Sequence, residues 1–167
     1  MSAPYHRELV ARDWFTEQGI ETFVPMRYEI ITRRDGTKVR ELVPAIHNLL
    51  FVRSSRPEMR ELKPQIPIVQ YLTRPVDGRN EPILVPEYQM SQFIRVSNSY
   101  DDKLSYFRPE ELNLRRGTAV RIIGGPFDGV EGTFVKVQGI RNRRVVVQLP
   151  GLLAVAAEVH PDLIQVL

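Results

Sequence analysis

The feature that most narrows the possible folds is the run of five short segments TAVRII, VEGTFVKV, RVVVQL, LLAVAAEV and LIQVL between Thr118 and Leu167, separated by GGPFDG, GIRNR and PG. The stretch is dense in Val, Ile and Gly, and the segments are separated by turn chemistry. Strands of this length, at this spacing and with turn chemistry between them, predict a small all-β barrel.

The first of the turns, RIIGGPFDGVEGTFVKVQG, has the glycine density of a phosphate loop. A Walker-type loop needs G-x-x-x-x-G-K-[ST], since lysine and hydroxyl neutralise the phosphates and hold Mg²⁺. Gly124, Gly125, Gly129 and Gly132 do not supply it, and the dinucleotide spacing G-x-G-x-x-G fails as well. A mechanical role is expected instead: Pro126 and Asp128-Gly129 make the reversal, and Gly132 allows close backbone approach within a strand. Phe127 has two readings, a plug over the end of the barrel or a contact with a partner.

The N-terminal half reads differently. Leu9, Val10, Trp14 and Phe15 recur at helical spacing between Tyr5 and Gln18, and Gly19 stands where a left-handed cap belongs. In ETFVPMRYEIITRRDGTKVRELVP two β-rich arms flank RRDG, predicting a hairpin with a charged tip. The apolar run Ile46–Val52 predicts a central strand buried on both faces. RPEMRELK opens with Pro57 as a short helix, IVQYL and PILV predict strands, and a helix after Pro86 sets Met90, Phe93 and Ile94 on one side. Helices over a β-sheet make this part α+β, and the whole chain is expected as α+β followed by a small all-β domain. The polar, aperiodic stretch that begins at Ser97 predicts a linker. The expected organisation is 1–96, a linker over 97–112, and 113–167.

Charge and composition exclude several classes. The net charge is +3, with seven Lys/Arg against seven Asp/Glu in residues 1–44, seven against five in 45–95 and nine against eight in 96–167. There is no polybasic tail, so a nucleic-acid surface must come from local arrangement. Without cysteine there is no disulfide, thiolate nucleophile or Cys-based zinc site. The N-terminus lacks an apolar signal region, no run is long enough to span a membrane, and a cytoplasmic monomer is expected. His6, His47 and His160 fall in no H-E-x-x-H or other zinc spacing, no serine sits in a G-x-S-x-G elbow, and adjacent Glu110 and Glu111 do not converge in regular structure. No catalytic residue, metal or cofactor is expected.

GTAVRIIGGPFDGVEGTFVKV resembles the KOW motif of transcription elongation factors and ribosomal proteins. EQGIETFVP after an amphipathic helix, a charged hairpin and then VPAIHNLLFVR resemble the NGN domain of NusG-type factors. In that family the third strand usually reads like P-x-F-P-G-Y-V-F-V, whereas here Ile46, His47, Asn48 and Leu49 replace Phe-Pro-Gly-Tyr. The order NGN (1–96), linker, KOW (113–167, an SH3-like barrel) covers nearly the whole chain. The wording RELV, TFVPMRYE and VPAIHNLLFV is most similar to specialised paralogues that act as antiterminators of polysaccharide-biosynthesis operons. An NGN domain normally opens with a W-Y-x-x strand, where this sequence has only MSAPY: either the strand is shortened to these residues or the start is truncated, and an incomplete sheet would expose an edge.

The resemblance implies an elongation regulator whose NGN domain binds the clamp helices of RNA polymerase through an apolar surface and suppresses pausing or termination. Ile46 and Leu49 occupy the matching strand positions, with Phe93 and Ile94 as neighbours; plain core residues are the competing reading. His6, Arg7 and Arg12 match a face that meets the displaced DNA strand in specialised relatives. Arg33, Arg34 and Lys38 on the hairpin tip are further candidates for phosphate or base contact, against a merely solvated tip. The KOW domain would recruit a second partner, Rho or a ribosomal protein, through Phe127, Arg141, Arg143 and Arg144. Its β-branched segments disfavour the helical state that some relatives adopt; only Leu152–Val159 is ambivalent. The second reading is a ribosome-associated RNA-binding KOW protein, disfavoured because such proteins carry a larger basic excess.

Overall fold

The first helix runs over Glu8–Glu17 (α1), three residues later than the periodicity suggests, because Tyr5 and His6 take left-handed φ of 61° and 56°. It ends as expected, with Gly19 at φ 74° and the Ile20 amide on the Phe15 carbonyl. The remaining elements in chain order are β1 (Glu21–Phe23), β2 (Met26–Thr32), β3 (Lys38–Pro44), β4 (Phe51–Arg53), α2 (Arg56–Leu62), β5 (Thr73–Val76), β6 (Arg79–Pro82), α3 (Glu87–Ser97), β7 (Ser105–Phe107), β8 (Thr118–Ile122), β9 (Glu131–Val135), β10 (Arg144–Leu149), β11 (Leu153–Ala157) and β12 (Ile164–Val166). The computed structural model describes residues 1–167 apart from Pro109. The chain divides into two units, one of Met1–Met26 with Pro44–Leu84, the other of Arg27–Val43 with Val85–Leu167. This division differs from the expected boundary after residue 96 in placing α3 and the β2–β3 hairpin with the C-terminal strands.

In the first unit, Phe15 and Ala11 of α1 pack with Ala3, Val24, Leu50, Met59, Ile66 and Val69. Ala11 takes the inward place that the sequence pattern assigns to Val10, which is 60% exposed. β1 and β4 pair antiparallel, with Glu21 opposite Arg53 and their side chains 3.0 Å apart. The N-terminal segment is tied to the unit by isolated backbone bridges. Ser2 exchanges two backbone hydrogen bonds with Gln70, both at 2.7 Å, while Ala3 N–H donates to the Asn48 carbonyl at 2.9 Å. Ser55 caps α2 through the Glu58 amide, with Pro57 in its first turn.

Three expected strands differ from those observed. The run from Ile46 to Val52 is not one strand: Asn48 has φ 63°, which a β-strand cannot accommodate, and only its end lies in β4. IVQYL contributes only the bridge at Gln70, and PILV only Pro82 of β6. The regular pairing in that region is the β5–β6 hairpin around Asp77-Gly78, with φ 47° and 77°. Both residues have the positive φ of a type I′ turn.

In the second unit, β2 and β3 form the expected hairpin. The C-terminal strands make one sheet in the order β12-β8-β9-β10-β11-β7, antiparallel at each junction. The five strands expected from the sequence are present, and the stretch expected as a linker adds β7, paired with β11. Every residue of β11 is buried. Ala154 and Ala156 face a cluster with Val135, Val137 and Val146, and α3 packs over β10 and β11. An alanine-rich segment with neighbours on both edges and cover on both faces has its backbone bonds satisfied as a strand. The turn before β9 is geometric as well: Gly124, at φ 83°, donates its N–H to the Asp128 carboxylate at 2.6 Å. That donor is spent within the loop rather than on a bound anion.

Candidate functional site

In the first unit two groups of candidates chosen separately from the sequence come together. Asn48 at φ 63° turns the chain between Ile46 and Leu49, and its side-chain Oδ1 accepts the His6 backbone N–H at 2.8 Å. The His6 and His47 rings meet edge to face with centroids 4.3 Å apart. The start of α1, carrying His6 and exposed Arg7, therefore lies against the segment carrying Ile46. Ile46 is half-buried, as an apolar contact residue on a surface can be. Leu49 is only 7% exposed and bridges Ser2, so its burial serves the fold and not a partner. Arg12 is half-buried and its guanidinium lies 2.7 Å from Asp13, which offsets part of its charge.

Beneath the two histidines is Glu8, the first residue of α1 and 1% exposed. Its Oε1 lies 3.5 Å from His47 Nδ1, and its Oε2 has no hydrogen-bond partner. A carboxylate suits a helix N-terminus electrostatically. A buried polar atom left unsatisfied nevertheless costs about 1–3 kcal/mol. One ligand atom from each of His6, Glu8 and His47 lies within 4.8 Å of the other two. The sequence offers little warning of this cluster, because His47 is remote from the other two and sits in an apolar run that reads as a strand.

In the second unit the hairpin tip is ordered by its own residues. Asp35 accepts from the Thr37 hydroxyl and amide, which hold its carboxyl below the usual range. Arg33 lies 3.2 Å from Glu41, whereas Arg34 and Lys38 are exposed. Arg40 sits 4.2 Å over the Tyr28 ring and 3.0 Å from Asp102.

Phe93 is fully buried, 6.3 Å from the Tyr106 ring, because α3 lies on the sheet; it is a core residue and not a surface contact. Ile94 is half-buried. Phe127 is only 7% exposed, which leaves little of its ring for a partner. Arg144 is likewise turned inward. Its side chain is 11% exposed and its Nη1 bonds the Lys103 carbonyl at 3.2 Å and lies 3.3 Å from Glu158.

Arg141 and Arg143 are exposed, and Arg143 stands 5.8 Å from the Phe134 ring centroid. A depression of about 340 Å³ gathers Arg143 with Arg116, Lys136, Phe134, Asn113 and Thr118. Of these only Arg143 is among the candidates from the sequence; Arg116, Lys136 and Phe134 are the missed members with charge or an aromatic face. The alternation of β9 and β10 could have marked Phe134, whereas Arg116 lies in the polar, aperiodic sequence just before TAVRII. On the edge of the same unit Glu131 accepts from Arg121 Nε at 2.9 Å and Tyr88 Oη at 3.0 Å. The Arg121 guanidinium, with the tyrosine second, keeps the Glu131 carboxyl below its ordinary value.

Among the described residues no helix is long and apolar enough to cross a membrane. No curated protein matches the chain. A family model described as transcription termination factor nusG matches residues 2–94, more than half of the chain. Helices over β-pairs followed by an antiparallel β-sheet agree with that match, and the chain belongs to the NusG family, with an N-terminal NGN domain.

Proposed function

We propose that this NusG-family factor binds the clamp helices of RNA polymerase and acts as an antiterminator, suppressing pausing or termination as specialised paralogues do. The observation that carries the reading is the His6–Asn48 hydrogen bond, which sets an apolar side chain, Ile46, beside a basic helix start with exposed Arg7. An apolar contact flanked by phosphate-pairing cations suits a surface that meets protein and DNA together. Ile46 supplies the polymerase contact, His6 and Arg7 the DNA contact, with Arg34 and Lys38 of the hairpin tip as further phosphate partners.

The C-terminal sheet is read as a KOW barrel of the SH3-like type. Its depression lined by Arg116, Lys136, Arg143 and Phe134 supports recruitment of a second partner, Rho or a ribosomal protein, with Arg141, whose carbonyl accepts from Lys136, as a further contact. The factor works by docking and holding, without catalysis, in the cytoplasm.

Co-purification with RNA polymerase and readthrough of a terminator on a defined template test the reading. Ile46→Glu is expected to abolish co-purification while the chain stays folded. Arg7→Glu is expected to keep polymerase binding and reduce readthrough. Retention by ribosomes without retention by polymerase would establish the RNA-binding alternative, and lowered readthrough with the native factor would reverse the assigned direction.

A further inference from the structure

We propose that His6, Glu8 and His47 form a binding site for a divalent transition-metal ion of the zinc type, which ties the start of α1 to the turn at Ile46–Leu49. The three side chains offer two imidazole nitrogens and one carboxylate oxygen, all within 4.8 Å of one another. In a tetrahedral zinc site with bonds of about 2.0–2.1 Å, neighbouring ligand atoms are about 3.3 Å apart. His47 Nδ1 and Glu8 Oε1, at 3.5 Å, already stand near that separation. His6 is exposed, so a rotation of its ring closes the other two edges without disturbing the core.

An independent observation is the condition of Glu8. Its carboxyl is 1% exposed, on the His47 side its Oε1 is engaged only by a long contact, and its Oε2 has no hydrogen-bond partner. A simple Glu8–His47 ion pair leaves that oxygen uncompensated and gives the His6 ring only its edge contact with His47. A cation held by all three compensates the buried carboxylate and employs both rings. The backbone is also bent toward this arrangement: His6 at φ 56° and Asn48 at φ 63° are joined by their 2.8 Å hydrogen bond. Left-handed conformations at non-glycine residues are costly and persist where surrounding contacts demand them. Nitrogen-rich, mixed N/O ligation favours Zn²⁺, Co²⁺, Ni²⁺ or Cu²⁺ over Mg²⁺ or Ca²⁺, which prefer oxygen alone. The two imidazoles reach solvent, and the remaining coordination position is open to water.

The test uses the full chain. Calorimetric titration with ZnCl2 is expected to show one equivalent bound with Kd on the order of micromolar, and Co²⁺ in its place is expected to give the visible absorption of a four- or five-coordinate site. His6→Ala and His47→Ala each weaken binding by at least about tenfold, and zinc raises Tm in the native chain but not in these variants. Both histidines are exposed, so the variants are expected to fold, and circular dichroism verifies it. His160→Ala, which removes the imidazole 3.4 Å from Asp162, leaves the titration unchanged. The proposal is overturned by the lack of a one-equivalent event, by full binding in His6→Ala and His47→Ala, or by loss of binding only in His160→Ala.

Discussion

The His6 amide donates to the Asn48 side-chain oxygen at 2.8 Å, joining the start of α1 to a turn formed 42 residues later in the chain. Asn48 serves twice, because it also tolerates the left-handed φ of 63° that reverses the chain there. Asn48→Ala loses both and is expected to destabilise the protein by about 2 kcal/mol. Asn48→Gly loses only the hydrogen bond and is expected to cost about half as much. Urea denaturation of the two variants checks the order; equal losses would show that the dihedral contributes nothing.

Phe93 is buried under α3 against the sheet. Phe93→Ala is expected to cost about 3–5 kcal/mol in thermal or chemical denaturation through the cavity it leaves. Half-buried Ile94→Ala is expected to cost less than Phe93→Ala. A Phe93→Ala chain of native stability would return this residue to the list of contact candidates.

Gly132 lies in β9 where an added Cβ would meet the Val146 carbonyl oxygen at 2.6 Å and Val145 Cγ1 at 2.9 Å. The nearest atom is backbone of the paired strand, so relief requires the β9–β10 ladder to move. Gly132→Ala is expected to destabilise by roughly 1–3 kcal/mol by overpacking. Its lowered denaturation midpoint should accompany increased amide exchange along β9 and β10.

The Glu131 carboxyl is held below its ordinary value of 4.5 by the Arg121 guanidinium first and the Tyr88 hydroxyl second. A group whose folded pKa is depressed contributes stability above its unfolded pKa and loses it as pH falls through the folded one. Native stability should therefore fall more steeply than that of Glu131→Gln as the solution is taken from pH 5 toward acid, about the range in which an unfolded glutamate protonates. Parallel slopes of Tm against pH in the two chains would show that the contact is not maintained in solution.

Several elements were legible because their causes are local. Asp35-Gly36 marked the β2–β3 hairpin, Pro57 the start of α2, and Gly19 the end of α1. The same Asp-Gly signal stands at Asp77-Gly78, but the expected strands IVQYL and PILV flank that hairpin and share only Pro82 with it, and Pro75 and Pro82 are residues that strands rarely hold. The apolar run at Ile46 reads as a strand until Asn48 is seen in the left-handed region. The polar stretch after Ser97 hid β7, whose three residues gain their hydrogen bonds only from β11.

For the candidate site, the sequence by itself determined which residue types were on offer: an aliphatic pair at Ile46 and Leu49, cations at the start of α1 and on the hairpin tip, and aromatic and basic residues in the C-terminal turns. Tertiary structure decided which of them face outward. Leu49, Phe93, Phe127 and Arg144 went inward, while Ile46, Arg7, Arg34, Lys38 and Arg143 stayed partly or fully accessible. It alone brought His6, Glu8 and His47 within reach of one another. The physical reason is range: dihedral preference, capping and turn chemistry act between neighbours and can be read along the chain, whereas burial and convergence of side chains depend on segments that meet only after folding.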